Sequence, residues 1–102
     1  MRHLDKQVHS ETRLFIMLKL FEHSTLSFKE LQKKLHISSG TLNSHLKKLS
    51  QVKYIEQEKK ILEDKPLTLI HLKPKGSHAL HKYAEQLITL FKNHKLDNGG
   101  LS

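Results

Sequence analysis

Six stretches of this chain carry a readable alternation of apolar and polar positions. In "ETRLFIMLKLFEH", residues 11–23, Leu14, Phe15, Ile16, Met17, Leu18, Leu20 and Phe21 are too many for one face. That density predicts a helix covered on two sides. "FKELQKKLH" places Leu31 and Leu35 at i, i+4 behind Ser27 and Glu30, an S-x-x-E capping box that starts a helix. "ISSGTLNSHLKKL" repeats Leu42, Leu46 and Leu49 at helical spacing, with Ser38 or Ser39 as N-cap and an end near Ser50. "KYIEQEKKI" and "PLTLIHLK" read as two strands joined at the charged tip "LEDK", with Pro66 acceptable at a strand start or edge. "PKGSHALHKYAEQLITLFKNHK" is a final helix with Pro74 in its first turn. Its Leu80, Tyr83, Ala84, Leu87, Ile88, Leu90 and Phe91 spread over roughly 160°. With "LSF", residues 26–28, as a short extended link, the order is helix, strand, helix, turn, helix, strand, strand, helix. Two helices joined by a tight turn and followed by a hairpin form a winged helix-turn-helix, an α+β fold that is mainly α.

Length and composition narrow the reading. The 102 residues suit one domain, and 36% hydrophobic content supports a modest core. We expect the domain over residues 1–96 and a flexible tail over 97–102, where Gly99 and Gly100 oppose helix. There is no cysteine, which excludes disulfides and thiolate metal sites. The longest apolar run, Leu14 to Leu18, is far too short to span a membrane, and "MRHLDKQVHS" lacks the apolar stretch of a signal peptide. A cytoplasmic protein without membrane contact is expected.

The net charge of +8 favours an anionic partner, and its distribution says where. Residues 29–48 hold Lys29, Lys33, Lys34, Lys47 and Lys48 against Glu30 alone. On a helical wheel Leu42, Leu46 and Leu49 cluster within about 60°, opposite Gly40, Ser44, Lys47, Lys48 and Gln51. Thr41 and Asn43 flank that surface, and His45 sits at the rim of the apolar face as a packing residue. An ordinary solvated helix face mixes acids with bases, whereas residues 38–50 contain no acid. Small residues at the helix start let the backbone enter a groove, and Asn, Ser and Thr can bond base edges. Ser39, Thr41, Asn43 and Ser44 are therefore candidate base readers. Lys29, Lys47, Lys48, Lys59, Lys60 and Lys65, with Ser38, are candidate phosphate contacts, because lysine acts as a flexible point charge.

Other chemistries find less support. His71, His78 and His81 could approach a metal, but an i, i+3 histidine pair without nearby carboxylates is a weak motif, and no metal or cofactor is expected. No phosphate loop, nucleophile with a placed base, or spaced carboxylate pair points to an enzyme. RNA binding lacks an exposed aromatic platform. The rival to DNA binding is a protein-interaction module using the wide apolar stripes.

The stretches "ETRLFIMLKL", "LSFKELQKKLHISSGTLNSHLKKL", "YIEQEKK" and "KPLTLIHLKPKGSHAL", over about residues 10–90, resemble the small single-domain MarR-like and ArsR-like winged-helix transcriptional regulators. The resemblance implies a homodimer that places residues 38–50 of each subunit in a major groove of double-stranded DNA, with a wing at about 58–66. It implies a regulator, with repression the expected sign, and leaves any small-molecule effector unidentified. Dimerisation would use Leu14 to Phe21 and the last helix, with Leu14, Met17, Leu18, Phe21, Leu80, Tyr83, Leu87, Leu90 and Phe91 as candidates. Three features depart from the family pattern. Lys53 stands where the chain often turns left-handed at glycine, so the turn is either strained or different. Lys73 replaces a threonine cap. The wing has no arginine and carries Glu63 and Asp64 at its tip, where acids repel phosphate.

Overall fold

The computed structural model describes residues 3–94, so the tail 97–102 and the ends of the 1–96 domain lie outside the described residues. Ser10 caps α1 (Glu11–His23), its side chain accepting from the Arg13 N–H. A short strand β1 (Thr25–Ser27) leads into α2 (Phe28–Leu35), where the Ser27–Glu30 capping box is present in both directions. Those bonds hold the Glu30 carboxyl below its usual range. His36 ends α2 in the left-handed conformation, one residue earlier than the apolar pattern suggests. Ser38 caps α3 (Ser39–Gln51). The hairpin β2 (Ile55–Leu62) and β3 (Lys65–Leu72) follows, then α4 (Pro74–Asn93).

The sheet has three antiparallel strands in the order β1-β3-β2, so the short link before α2 becomes an edge strand paired with β3. Leu26 meets Ile70 and Ile55 meets Leu72 across the register. Pro66 is tolerated because β1 reaches only Leu69–His71, which leaves β3 with β2 alone as its neighbour at that end. The core takes Ile16, Met17 and Leu20 from α1, Leu31 from α2, and Leu42, Leu46 and Leu49 from α3. Ile55 and Ile70 join from the sheet, Ala79, Leu80 and Tyr83 from α4, and Val8 from the segment before α1.

This core corrects three dimerisation candidates. Met17, Leu80 and Tyr83 are 0%, 7% and 5% exposed, because their own subunit's helices and sheet already cover them. Leu14 and Leu87 are half-buried against the same core. Leu18, Phe21, Leu90 and Phe91 stay exposed, together with Phe15 and Ile88.

The end of α3 explains Lys53. Its N–H bonds the Ser50 carbonyl at 3.0 Å and the Tyr54 N–H reaches back to Leu49 at 3.0 Å, the paired bonds of a Schellman motif. Lys53 occupies the left-handed position at φ 64°, where a side chain costs about 1 kcal/mol relative to glycine. Beside this turn, a Cβ on Gly76 would lie 2.9 Å from the Tyr54 carbonyl carbon and closer still to its oxygen. The Tyr54 carbonyl is also pinned by the Lys73 N–H at 3.0 Å. Gly76 is thus what lets α4 start against the exit from α3. Lys73 itself supplies no side-chain cap.

Candidate nucleic-acid interface

The apolar stripe of α3 fixes which face looks outward. Leu42, Leu46 and Leu49 are fully buried, so Ser39, Gly40, Thr41, Asn43, Ser44, Lys47, Lys48 and Gln51 are all exposed. The Ser38 hydroxyl accepts the Thr41 N–H at 3.1 Å and donates to Thr41 Oγ1 at 2.9 Å. Ser38 therefore acts first as a cap, and the Thr41 hydroxyl keeps its own proton for an outside acceptor. Ser39 and Gly40, beside it at the start of the helix, are exposed, and the first N–H groups of a helix have no partner within it. Among the described residues Lys29, Lys47 and Lys48 form no ion pair, and residues 38–50 carry no acid, so this surface is uniformly cationic.

Gly40 differs from Gly76. A Cβ built there meets nothing within 4 Å, and its backbone is right-handed helix. Nothing in the fold asks for glycine, although glycine weakens a helix by up to about 1 kcal/mol. The Gly40→Ala variant is expected to gain up to about 1 kcal/mol of stability in urea unfolding. If α3 is the groove-facing helix, the same variant should lose affinity for duplex DNA in a binding titration, because a methyl group would then stand between helix and groove. A variant that is more stable and binds as well as wild type would remove Gly40 from the interface.

The wing is an eight-by-eight-residue hairpin closed by Glu63 and Asp64, both at positive φ (50° and 62°). This is the backbone of a two-residue type I′ turn, which Asn-Gly fills most easily. The strand register divides the candidate lysines. Lys59 lies opposite Thr68 on the face that carries Ile55 and Ile70 into the core, whereas Lys60 and Lys65 lie on the outward face. Lys60 also sits 3.7 Å from Glu58. The three lysines therefore do not converge on one phosphate, and the tip presents two acids with Ile61 and Leu62 exposed beside them.

A polar ladder braces the wing root across all three strands. Glu58 accepts from His71 Nε2 at 2.8 Å, and Thr25 Oγ1 bonds His71 Nδ1 at 2.7 Å. The His71 bond holds the Glu58 carboxyl below its usual range, with Lys60 nearby acting in the same direction. His71 is thus committed to the sheet, and His81 bonds the Ser77 carbonyl on α4 at 2.9 Å. No group of three or more potential metal ligands comes together among the described residues.

The segment before α1 makes contacts that no motif in the sequence announces. Asp5 accepts the Gln7 and Val8 N–H groups and the Tyr54 hydroxyl. His9 Nδ1 bonds the Tyr83 hydroxyl at 2.7 Å. Burial and the Asp5 carboxylate push the Tyr54 phenol up to about 12. Arg13 gathers this strap, its Nε donating to the Gln7 carbonyl at 2.7 Å and Nη2 to that of Lys6 at 3.3 Å. Its Nη1 reaches His45 on α3 at 3.0 Å. The only signal in the sequence was Asp5 two residues before Gln7, an ordinary turn pattern.

A helix-turn-helix with a hairpin wing and a cationic, acid-free third helix defines a winged-helix nucleic-acid-binding fold. Residues 12–91 match the family described as winged helix DNA-binding domain, and the chain belongs to that family. An uncharacterised protein of Methanocaldococcus jannaschii is 31% identical over 88 residues, covering 86% of this chain and 96% of its own. The fold resembles that of a transcriptional regulator homologue protein from Pyrococcus horikoshii OT3, with TM-score 0.79 and 23% identity over 85% of this chain and 86% of that one. It also resembles a padR family transcriptional regulator from Eggerthella lenta, with TM-score 0.66 and 21% identity over 83% and 82% of the two chains. No helix among the described residues is long and apolar enough to cross a membrane.

Proposed function

We propose that this chain is a sequence-specific, double-stranded-DNA-binding transcriptional regulator that acts as a homodimer on a pseudo-palindromic site. The observation that carries this reading is the outer face of α3: small hydrogen-bonding side chains, two lysines without an ion pair among the described residues and no acid, mounted on a fully buried leucine stripe. Ser39, Thr41, Asn43 and Ser44 read base edges in the major groove, while Lys29, Lys47 and Lys48 hold phosphates. The exposed Phe15, Leu18 and Phe21 of α1 and Ile88, Leu90 and Phe91 of α4 support dimerisation. Two recognition helices about one DNA turn apart then read paired half-sites, and repression follows where the site overlaps a promoter.

Selection of bound sequences from random duplexes at a fixed salt concentration tests binding, specificity and half-site spacing together. Recovery of no enriched sequence would end the specific-binding claim, and sedimentation showing only monomer at micromolar concentration would end the dimer. Within the selected site, Asn43→Ala is expected to relax preference at one base position, by about 1–3 kcal/mol of discrimination. Competition titrations against single-base variants measure this, and an unchanged preference profile would take Asn43 out of direct readout.

One observation favours a protein-interaction role for part of the molecule. Ile61 and Leu62 are 79% and 61% exposed beside the acidic tip, a poor surface for phosphate and a serviceable one for protein. A chain acting only through such contacts would select no DNA sequence.

A further inference from the structure

His45 is a polar side chain of α3 that faces α1, and its partner there is a permanent donor. A guanidinium has no acceptor and does not lose its proton in proteins. The 3.0 Å contact from Arg13 Nη1 to His45 Nδ1 therefore requires Nδ1 to accept. An imidazole that accepts at Nδ1 is neutral and carries its proton on Nε2. Arg13 cannot easily turn away, because Nε and Nη2 are held by the strap carbonyls of Gln7 and Lys6. His45 is half-buried at the flank of α3, one turn before Lys48 and four residues after Thr41, both exposed. Nε2 has no protein partner among the described residues.

We infer that Arg13 locks His45 as a neutral Nε2–H donor at the edge of the recognition helix, and that this N–H, beside Lys48, binds a DNA phosphate oxygen. The inference rests on the DNA-binding reading above. It gives the strap a function: residues 5–9 tie the start of β2 and α4 to the arginine that presents the donor. Burial holds His45 below its ordinary value of 6.5, and the cations that act on it, Arg13 from α1 and Lys48 from α3, push in the same direction. No carboxylate acts on the ring among the described residues, and the strap faces Arg13 through the Lys6 and Gln7 carbonyls. Below pH 6.5 the unfolded chain binds a proton at this histidine that the folded chain refuses. Stability therefore falls at this site as the pH drops through 6.5 toward the lowered folded value. An ordinary surface histidine would gain charge and phosphate affinity between pH 7 and 6, and the lowered value of His45 reduces that gain.

Nitrogen–proton correlation NMR of the full chain tests the lock, and titration against a selected and a random duplex of equal length tests the contact. The expected results are an Nε2–H tautomer for His45 and a titration midpoint below 6.5. On adding duplex the Nε2–H signal should move as a newly hydrogen-bonded proton. Arg13→Lys keeps the charge but cannot serve Nδ1 and both carbonyls, so the midpoint should rise toward the ordinary value. His45→Phe should lose roughly tenfold in affinity for both duplexes with base preference unchanged. His45→Gln, whose amide can donate from a similar place, should recover part of that loss. A dominant Nδ1–H tautomer, or ordinary titration in wild type, overturns the lock. A wild type that binds duplex while His45→Phe binds it equally well overturns the phosphate contact alone. A wild type that binds no duplex overturns the regulator reading and the contact with it, and the tautomer still decides the lock.

Discussion

Gly76→Ala is expected to destabilise the protein by roughly 2–4 kcal/mol, large against the 5–15 kcal/mol total typical of a domain. On helix propensity alone the change should help, since alanine is favoured over glycine by up to about 1 kcal/mol. Packing reverses the sign. The new methyl group would be driven into the carbonyl of Tyr54, a backbone group bonded to the Lys73 N–H and next to the Schellman turn closing α3. A flexible side chain could swing aside, but this carbonyl moves only if the α3–β2 junction moves with it. A melting temperature lower by roughly 10–25 °C in a thermal scan is the expected reading. Gly40→Ala in the same background should move the other way, because space around Gly40 is open. If both variants shifted the melt in the same direction, the tight α4–Tyr54 approach would not exist in solution.

Replacing Lys47 and Lys48 together by alanine is expected to weaken duplex binding by about two to three orders of magnitude near 0.15 M salt. On the proposed reading a homodimer would lose four phosphate contacts, and each such contact releases nearly one counterion. The slope of log affinity against log salt should fall by roughly 3 to 4. Neither side chain is buried or paired among the described residues, so the fold should be unaffected and the melt unchanged. Lys48→Ala alone should weaken all sequences alike and flatten the salt dependence by a proportionate share. This contrasts with Asn43→Ala, which should alter preference more than affinity. A double variant that keeps the wild-type salt slope would show that α3 does not face the DNA backbone.

The wing departs from the arginine-rich pattern that the resemblance to MarR-like and ArsR-like regulators implied. Its acidic tip occupies a strained two-residue turn, its lysines are divided between two faces, and its exposed apolar residues are Ile61 and Leu62. This arrangement makes the tip a poor surface for phosphate and leaves the strand lysines as the wing's candidates for such contact.

Local physics was legible in the sequence because it acts within a few residues. Ser27 and Glu30 form a capping box three residues apart, Ser38 caps α3, and Leu42, Leu46 and Leu49 share a face by helical geometry alone. Those features placed the helices, the hairpin and the outward surface of α3, and with them the candidate DNA-reading residues. The family resemblance pointed to Lys53 but left open whether the turn is strained or different, and the structure decides for the left-handed turn. What needed the tertiary structure was every contact whose partners lie far apart in the chain. Burial of Met17, Leu80 and Tyr83 depends on which side of each helix meets the domain, and a broad apolar stripe does not say where core ends and free surface begins. The pairing of β1 with β3, the approach of Gly76 to Tyr54 and the division of the wing lysines follow from strand order and register. Arg13 and His45 are 32 residues apart and unremarkable as sequence. Only the packing of α1 against α3 brings a permanent donor to one ring nitrogen and thereby decides which proton the other one carries.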